Sequence, residues 1–229
     1  MVGRRFAPLR DEQRPRNSAL LLAFVVALQF GYPFTLYGQW QTALYMLLYA
    51  GMVFFGIAVV RDDNQHVLPT LVLGVVFIVL AAWFSIDQHS RSATLAMLFS
   101  VASFMSALIV ALLRFIFRAG SRVGSELIMG AVIVYLVLGG LFGALCAAME
   151  ILHPGSFTDP VTPGESPQWQ QLVYYSYVSL ATLGYGDILP VTPWARSLAT
   201  FESVLGTLFL TIVIARLVGI WSSGKTDNS

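Results

Sequence analysis

Apolar residues in this chain fall in long blocks divided by short polar stretches, not at the alternate spacing of a half-buried strand or the staggered spacing of a surface helix. The blocks cover residues 18–36, 41–60, 68–86, 94–117, 127–149 and 198–220, with polar turns at 61–66 and 87–91. About 20 apolar residues cross about 30 Å of hydrocarbon as a helix. Lipid offers the backbone no hydrogen-bonding partner, so each block is predicted to be helical. The first is marginal, because Gly31 and Pro33 are expected to end its regular helix early. A further stretch, 169–181, is too short to span but long enough for three turns. It is predicted to enter the membrane and stop midway, leaving irregular backbone that only protein or water can surround.

Composition agrees with this layout. The chain is 57% hydrophobic and 11% charged with a mean hydropathy of +0.73, whereas soluble domains are about a quarter charged. A net charge of +1 leaves no electrostatic footprint for nucleic acid; membrane lipids are the expected surroundings. The single cysteine, Cys146, lies in an apolar run and is expected to be a buried small hydrophobe. Arginines precede the first block as in a signal peptide, but no small-residue cleavage site follows Ala27 and more spans come later. With the amino terminus inside, Arg4, Arg5, Arg10, Arg14, Arg16, Arg61, Arg114, Arg118, Arg122, Arg216 and Lys225 are cytoplasmic and only Arg91 and Arg196 external. The positive-inside rule therefore predicts a multi-pass protein of a cell inner membrane with both termini cytoplasmic. Glu150, Asp159, Glu165 and Asp187 then lie outside around the pore mouth as a cation-concentrating vestibule, the alternative for the first three being ordinary solvated loop residues.

The chemistry concentrates in Thr182-Leu183-Gly184-Tyr185-Gly186-Asp187. Two glycines one residue apart permit positive φ, which a Cβ resists, so successive carbonyl oxygens can be aimed at one axis. Rings of such oxygens replace the hydration shell of a potassium ion, and the Thr182 hydroxyl adds another oxygen.

This stretch resembles the T-V-G-Y-G-D filter of the tetrameric potassium channels. Residues 187–196, D-I-L-P-V-T-P-W-A-R, are similar to the D-x-x-P-x-T-x-x-G-R run that follows the filter in that family. The likeness covers roughly the last hundred residues. It implies an all-α membrane protein of six transmembrane helices, with a re-entrant pore helix and filter between the fifth and sixth, assembled as a homotetramer. The divisions expected are a basic tail (1–17), a four-helix domain (18–118), a linker (119–125), a pore domain (126–221; pore helix 169–181, filter 182–187, inner helix 196–221) and a cytoplasmic tail (222–229).

The resemblance places potassium ions at Thr182, Leu183, Gly184 and Tyr185, with Gly186 completing the filter. It sets Tyr174 and Tyr175 as the aromatic pair bracing the filter near Tyr185, against the alternative of lipid-interface aromatics. Val178 stands where certain relatives carry an acid paired with the filter aspartate, so Asp187 needs another partner. Gly206 falls at the family's hinge position, although close packing is an equal reading. Thr207, Leu210 and Ile214 are expected to face a cavity narrowing near 215–219, with Arg216 at the inner gate or snorkelling to the cytoplasmic surface.

Glu202 is out of place in an apolar block unless it is neutral, paired or beside water. Ser176, Ser179 or a tyrosine hydroxyl is its expected receptor, in support of the filter; the alternative is snorkelling to the outer interface. Steep voltage sensing takes three or four charges within the fourth helix, yet 94–113 holds no basic residue, and weak or absent voltage dependence is predicted. His66, His89 and His153 fall in loops as proton sensors or solvated bystanders. No catalytic set, metal cluster, cofactor or soluble-ligand domain is expected, so the chain is not an enzyme. Gating falls to the filter, inner helices, lipid, pH, weak voltage or an unseen partner. The competing functions are a poorly selective monovalent cation channel and a pore-loop subunit of a potassium transporter.

Overall fold

A computed structural model describes residues 13–31, 33, 39–62, 67–88, 90–118, 125–160 and 164–226. Its elements in chain order are α1 (Gln13–Gly31), α2 (Gln39–Asp62), α3 (Val67–Ile86), α4 (Arg91–Arg118), α5 (Ser125–Leu152), β1 (Phe157–Thr158), α6 (Trp169–Leu180), β2 (Leu189–Pro190) and α7 (Pro193–Thr226). Five of them, within α2, α3, α4, α5 and α7, are long and apolar enough to cross a membrane. α1, in the region expected to be a marginal first span of six, is a helix of 19 residues and is not among the five.

Several boundaries differ from expectation. The basic tail was expected to run to residue 17, but helix begins at Gln13, and Asn17 and Ser18 are already buried. Pro15 is compatible with this because the first helical turn has no intrahelical use for its missing N–H. The inner helix starts at Pro193 instead of 196, behind a Thr192 cap whose Oγ1 accepts from Ala195 N at 3.4 Å. It continues through Thr226, into what was read as tail. Residues 1–12, the linker at 119–124, His66 and His89 lie outside the described residues.

α5 is the axle of the fold, packed on α4 and α1 along one side and on α6 along the other. Its small residues make the second contact close. A Cβ on Gly139 would stand 2.4 Å from the Tyr177 ring, and one on Gly143 2.8 Å from the Val173 Cα. Nearby, Met105 of α4 lies against Gly140. Phe104, Leu108 and Ile116 of α4 join Ile133, Val134 and Val137 of α5 in one buried cluster. Of the four leading helices, α4 and α1 therefore pack on the α5 of their own chain, and α2 and α3 are joined to it through them.

These leading helices also reach α6 directly. The Trp169 ring, at the start of α6, lies 6.3 Å from Tyr45 of α2 and 6.3 Å from Phe84 of α3. Arginines join two further helix ends. Arg91, opening α4, donates to Ile151 O and Leu152 O at the end of α5. These are carbonyls that a helix terminus leaves without intrahelical partners, and a cation suits the negative end of the helix dipole.

Candidate functional site

α6 is fixed at both ends before the 182–187 stretch begins. At its start, the Gln171 side chain reaches back to accept from Gln168 N at 2.8 Å, completing a capping box. Gln171 Nε2 also donates to Asp159 Oδ2 at 3.2 Å, tying the helix to the preceding loop. At its end, the chain curls back on the last turn. Thr182 N donates to Ser179 O at 3.0 Å and Leu183 N to Val178 O at 2.9 Å.

The stretch then alternates in hand. Thr182 has φ +56°, Gly184 +60° and Gly186 +77°, while Leu183 and Tyr185 between them stay on the negative side. In an extended strand successive carbonyls point to opposite sides; reversing the sign of φ at each residue brings them toward one side instead. Glycine takes the left-handed region without penalty, but a β-branched threonine does not. Thr182 is the sole non-glycine with positive φ among the described residues, and the two hydrogen bonds at the end of α6 over-determine it. Residues 181–186 are exposed on the single chain, and nothing lies within 4 Å of a Cβ built on Gly184 or Gly186.

Asp187 receives the partner it was expected to need. Its Oδ2 accepts from the Tyr174 hydroxyl at 2.7 Å and its Oδ1 from Ile188 N at 3.0 Å. Tyr175, the other member of the pair, packs edge-on against Phe157 with ring centroids 5.3 Å apart. That contact lies beside a two-residue antiparallel ladder, Phe157 opposite Pro190 and Thr158 opposite Leu189. The ladder is an addition to the all-α expectation, since two residues per strand give a sequence no period to read.

Two of the acids expected outside are held by hydrogen bonds within the chain. Glu150 is buried at 3% exposure, its carboxylate accepting from Gly155 N at 2.8 Å and Phe157 N at 2.9 Å. Asp159 is buried at 8% and engaged by Gln171. The partners of Glu150 are backbone N–H groups, which leave no mark in a sequence, and that of Asp159 is a side chain 12 residues on.

On α7, Glu202 is wholly buried and does not snorkel. Its Oε1 meets the Ser176 hydroxyl, one of the receptors expected for it. The adjacent Ser203 donates to Ser179 O at 2.9 Å. Gly206 lies where a Cβ would stand 2.6 Å from Leu180 O, so its small size serves close packing under the end of α6. Thr207, Leu210 and Ile214 share an exposed face of the chain. Arg216, expected at the inner gate or at the cytoplasmic surface, is directed to the carboxyl end of α4. Its Nε donates to Ile116 O at 3.1 Å, an Nη to Phe117 O at 2.8 Å, and its guanidinium carbon lies 5.0 Å from the Phe117 ring centroid. The end of α4 offers unpaired carbonyls and a negative dipole, which water at a gate does not match. Cys146 is buried and unpaired in a disulfide, as expected.

Comparison with known proteins bears on the same region. Residues 130–222 match the family model described as ion channel. Over 83 residues the chain is 34% identical to the inward rectifier potassium channel Kirbac3.1 of Paramagnetospirillum magnetotacticum, covering 34% of this chain and 24% of that protein. Two-pore potassium channel 5 of Arabidopsis thaliana is 33% identical over 86 residues, 38% of this chain and 18% of the relative. Two pore potassium channel c of Oryza sativa subsp. japonica is 31% identical over 86 residues, 38% and 17%. The chain thus spans a quarter or less of the length of these relatives. No solved structure matches it significantly. The likeness to ion channel proteins thus covers residues 130–222, and five helices among the described residues are long and apolar enough to cross a membrane.

Proposed function

We propose that the chain is one subunit of a homotetrameric, potassium-selective channel in which residues 182–186 of four copies converge on a shared axis. The observation that carries this reading is the alternation of φ at Thr182, Gly184 and Gly186, in a stretch exposed on the single chain. One such strand supplies oxygens from one side only, so a closed ring around an ion calls for several copies. The bare apolar face of α7, with Phe201, Val204, Leu208, Ile212 and Val218 exposed, supplies surface for those neighbours. Thr182, Leu183, Gly184 and Tyr185 coordinate potassium; Gly186 completes the turn; Tyr174, Tyr175, Asp187 and Glu202 hold the backbone in shape. Thr207, Leu210 and Ile214 line the cavity below.

Voltage acts weakly at most. Within α4 the bases Arg114 and Arg118 are exposed at one end and Arg91 is bound to α5 at the other. The basic residues favour an orientation with both termini cytoplasmic. Flux of thallium or potassium into proteoliposomes tests the reading against a Gly184→Asp variant, whose side chain cannot adopt the glycine backbone without strain. Native flux with sodium excluded, and none in the variant, is the expected result. Equal flux in both removes residues 182–186 from the pathway. Free passage of sodium through the native protein favours a poorly selective cation channel.

A further inference from the structure

At Ser176 a single hydroxyl proton faces two acceptors. Ser176 Oγ lies 2.6 Å from Gly139 O and also contacts Glu202 Oε1, and both side chains are fully buried. A backbone carbonyl only accepts, and so does an ionised carboxylate. Were Ser176 to donate to an ionised Glu202, its lone pairs would face Gly139 O at 2.6 Å, two acceptors in contact. Were it to donate to Gly139, the carboxylate would face the hydroxyl oxygen in the same way. Both contacts are hydrogen bonds only if Glu202 brings a proton of its own. The carboxyl then donates to Ser176 Oγ, and Ser176 donates to Gly139 O.

The surroundings agree. Glu202 Oε2 is buried without a hydrogen-bond partner among the described residues. That is tolerable for the carbonyl oxygen of a neutral acid and far more costly for half of a carboxylate. The titratable groups that feel Glu202 electrostatically are Tyr135 and Cys146 of α5 and Tyr175 and Tyr177 of α6. Each is uncharged in its protonated form, and none is a base to balance an anion.

We propose that Glu202 is a positioning residue for the 182–187 stretch. As a neutral acid it passes a hydrogen bond through Ser176 to Gly139 O, fastening α7, α6 and α5 at one buried point behind the carbonyl loop. Ser203, the next residue, holds Ser179 O one turn further along α6, three residues before Thr182. The inner helix therefore grips α6 at two successive levels, one by a proton of Glu202 and one by a hydroxyl. This rests on the reading of residues 182–187 as the filter, and the test separates the two.

Infrared spectra of the reconstituted protein, in water and deuterium oxide, report the proton without reference to flux. A carboxylic-acid carbonyl band that shifts in deuterium oxide, persists from mildly acidic to mildly alkaline buffer, and is absent from Glu202→Gln is the expected result. Glu202→Met serves for the same subtraction should the amide variant not assemble. Absence of such a band overturns the proposal. In flux, Glu202→Gln keeps a donor to Ser176 and retains potassium over sodium discrimination. Glu202→Met leaves the Ser176 to Gly139 bond but releases α7, and lowers that discrimination about tenfold. Unchanged discrimination in Glu202→Met also overturns it. A native protein that conducts no potassium overturns the channel reading, while the band still decides where the proton resides.

Discussion

The Tyr174 hydroxyl donates to Asp187 Oδ2 at 2.7 Å, joining the middle of α6 to the residue that closes the carbonyl stretch. The other carboxylate oxygen is held by the backbone N–H of Ile188 at 3.0 Å. Asp187 is thus clamped from two sides, and its position fixes where Gly186 ends. A hydrogen bond to a charged group contributes about 1.5–3 kcal/mol. Tyr174→Phe removes only the phenol oxygen, so packing is retained while the clamp is halved. The expected outcome is potassium flux that starts normally and decays within a recording faster than in the native protein. Asp187→Asn keeps one oxygen for Ile188 N and turns its amide nitrogen to the Tyr174 hydroxyl, which can accept in place of donating, and so decays less. Equal decay in native and Tyr174→Phe would show the bond to be idle.

Much of this site is legible in the sequence because its determinants are local. Thr182 to Asp187 is contiguous, the two glycines announce the positive φ, and the short apolar run ahead announces a helix that stops midway. Other contacts depend on residues far apart. The partner of Asp187 lies 13 residues back and that of Glu202 26 back, so for Glu202 candidates could be named without the choice being made, and for Asp187 only the need of a partner was legible. Arg216 pairs with carbonyls 99 and 100 residues away, and backbone acceptors leave no mark in a sequence. Glu150 was misread for a related reason, since its partners are backbone N–H groups of a turn.

Arg216→Gln tests the link between α7 and the carboxyl end of α4. The guanidinium satisfies two terminal carbonyls of α4 and lies over the Phe117 ring. A neutral, shorter amide loses the dipole term and at least one hydrogen bond, costing about 1–3 kcal/mol. A lower unfolding temperature and faster amide exchange over residues 215–219 are expected. Arg216→Lys, which keeps the charge without the planar fork, falls between. If Arg216 lined an aqueous gate instead, Gln would leave exchange unchanged and alter conduction alone.

Gly206→Ala separates the two readings of that glycine by sign. In a helix interior, alanine is favoured over glycine by up to about 1 kcal/mol. A glycine present only to permit bending would therefore give a more stable variant. The built Cβ, however, lies 2.6 Å from Leu180 O and 2.8 Å from the Leu180 Cδ1. A backbone oxygen at the end of α6 cannot step aside without moving Thr182, and overpacking costs about 1–3 kcal/mol. Thermal unfolding is expected to show a net loss, together with reduced discrimination between potassium and sodium.

Glu150→Gln decides between a fixed and a field-generating role for a buried acid at the carboxyl end of α5. A vestibule charge acts through the local concentration of cations. Removing it would lower conductance at low ionic strength, and added salt would erase the difference, because screening reaches about 10 Å at 0.1 M. The geometry requires something else. Both carboxylate oxygens accept backbone N–H groups, from Gly155 and Phe157, and the residue is almost wholly enclosed. An amide supplies one accepting oxygen and one donating nitrogen, so one N–H is left facing another donor, at a cost of about 1–3 kcal/mol. Phe157 also packs on Tyr175 and pairs with Pro190, so slackness here reaches the segment just after Asp187. The expected variant shows faster amide exchange at 155–158 and a lower unfolding temperature, and its conductance relative to the native protein is the same in low and high salt. A conductance deficit that salt removes would return Glu150 to the vestibule.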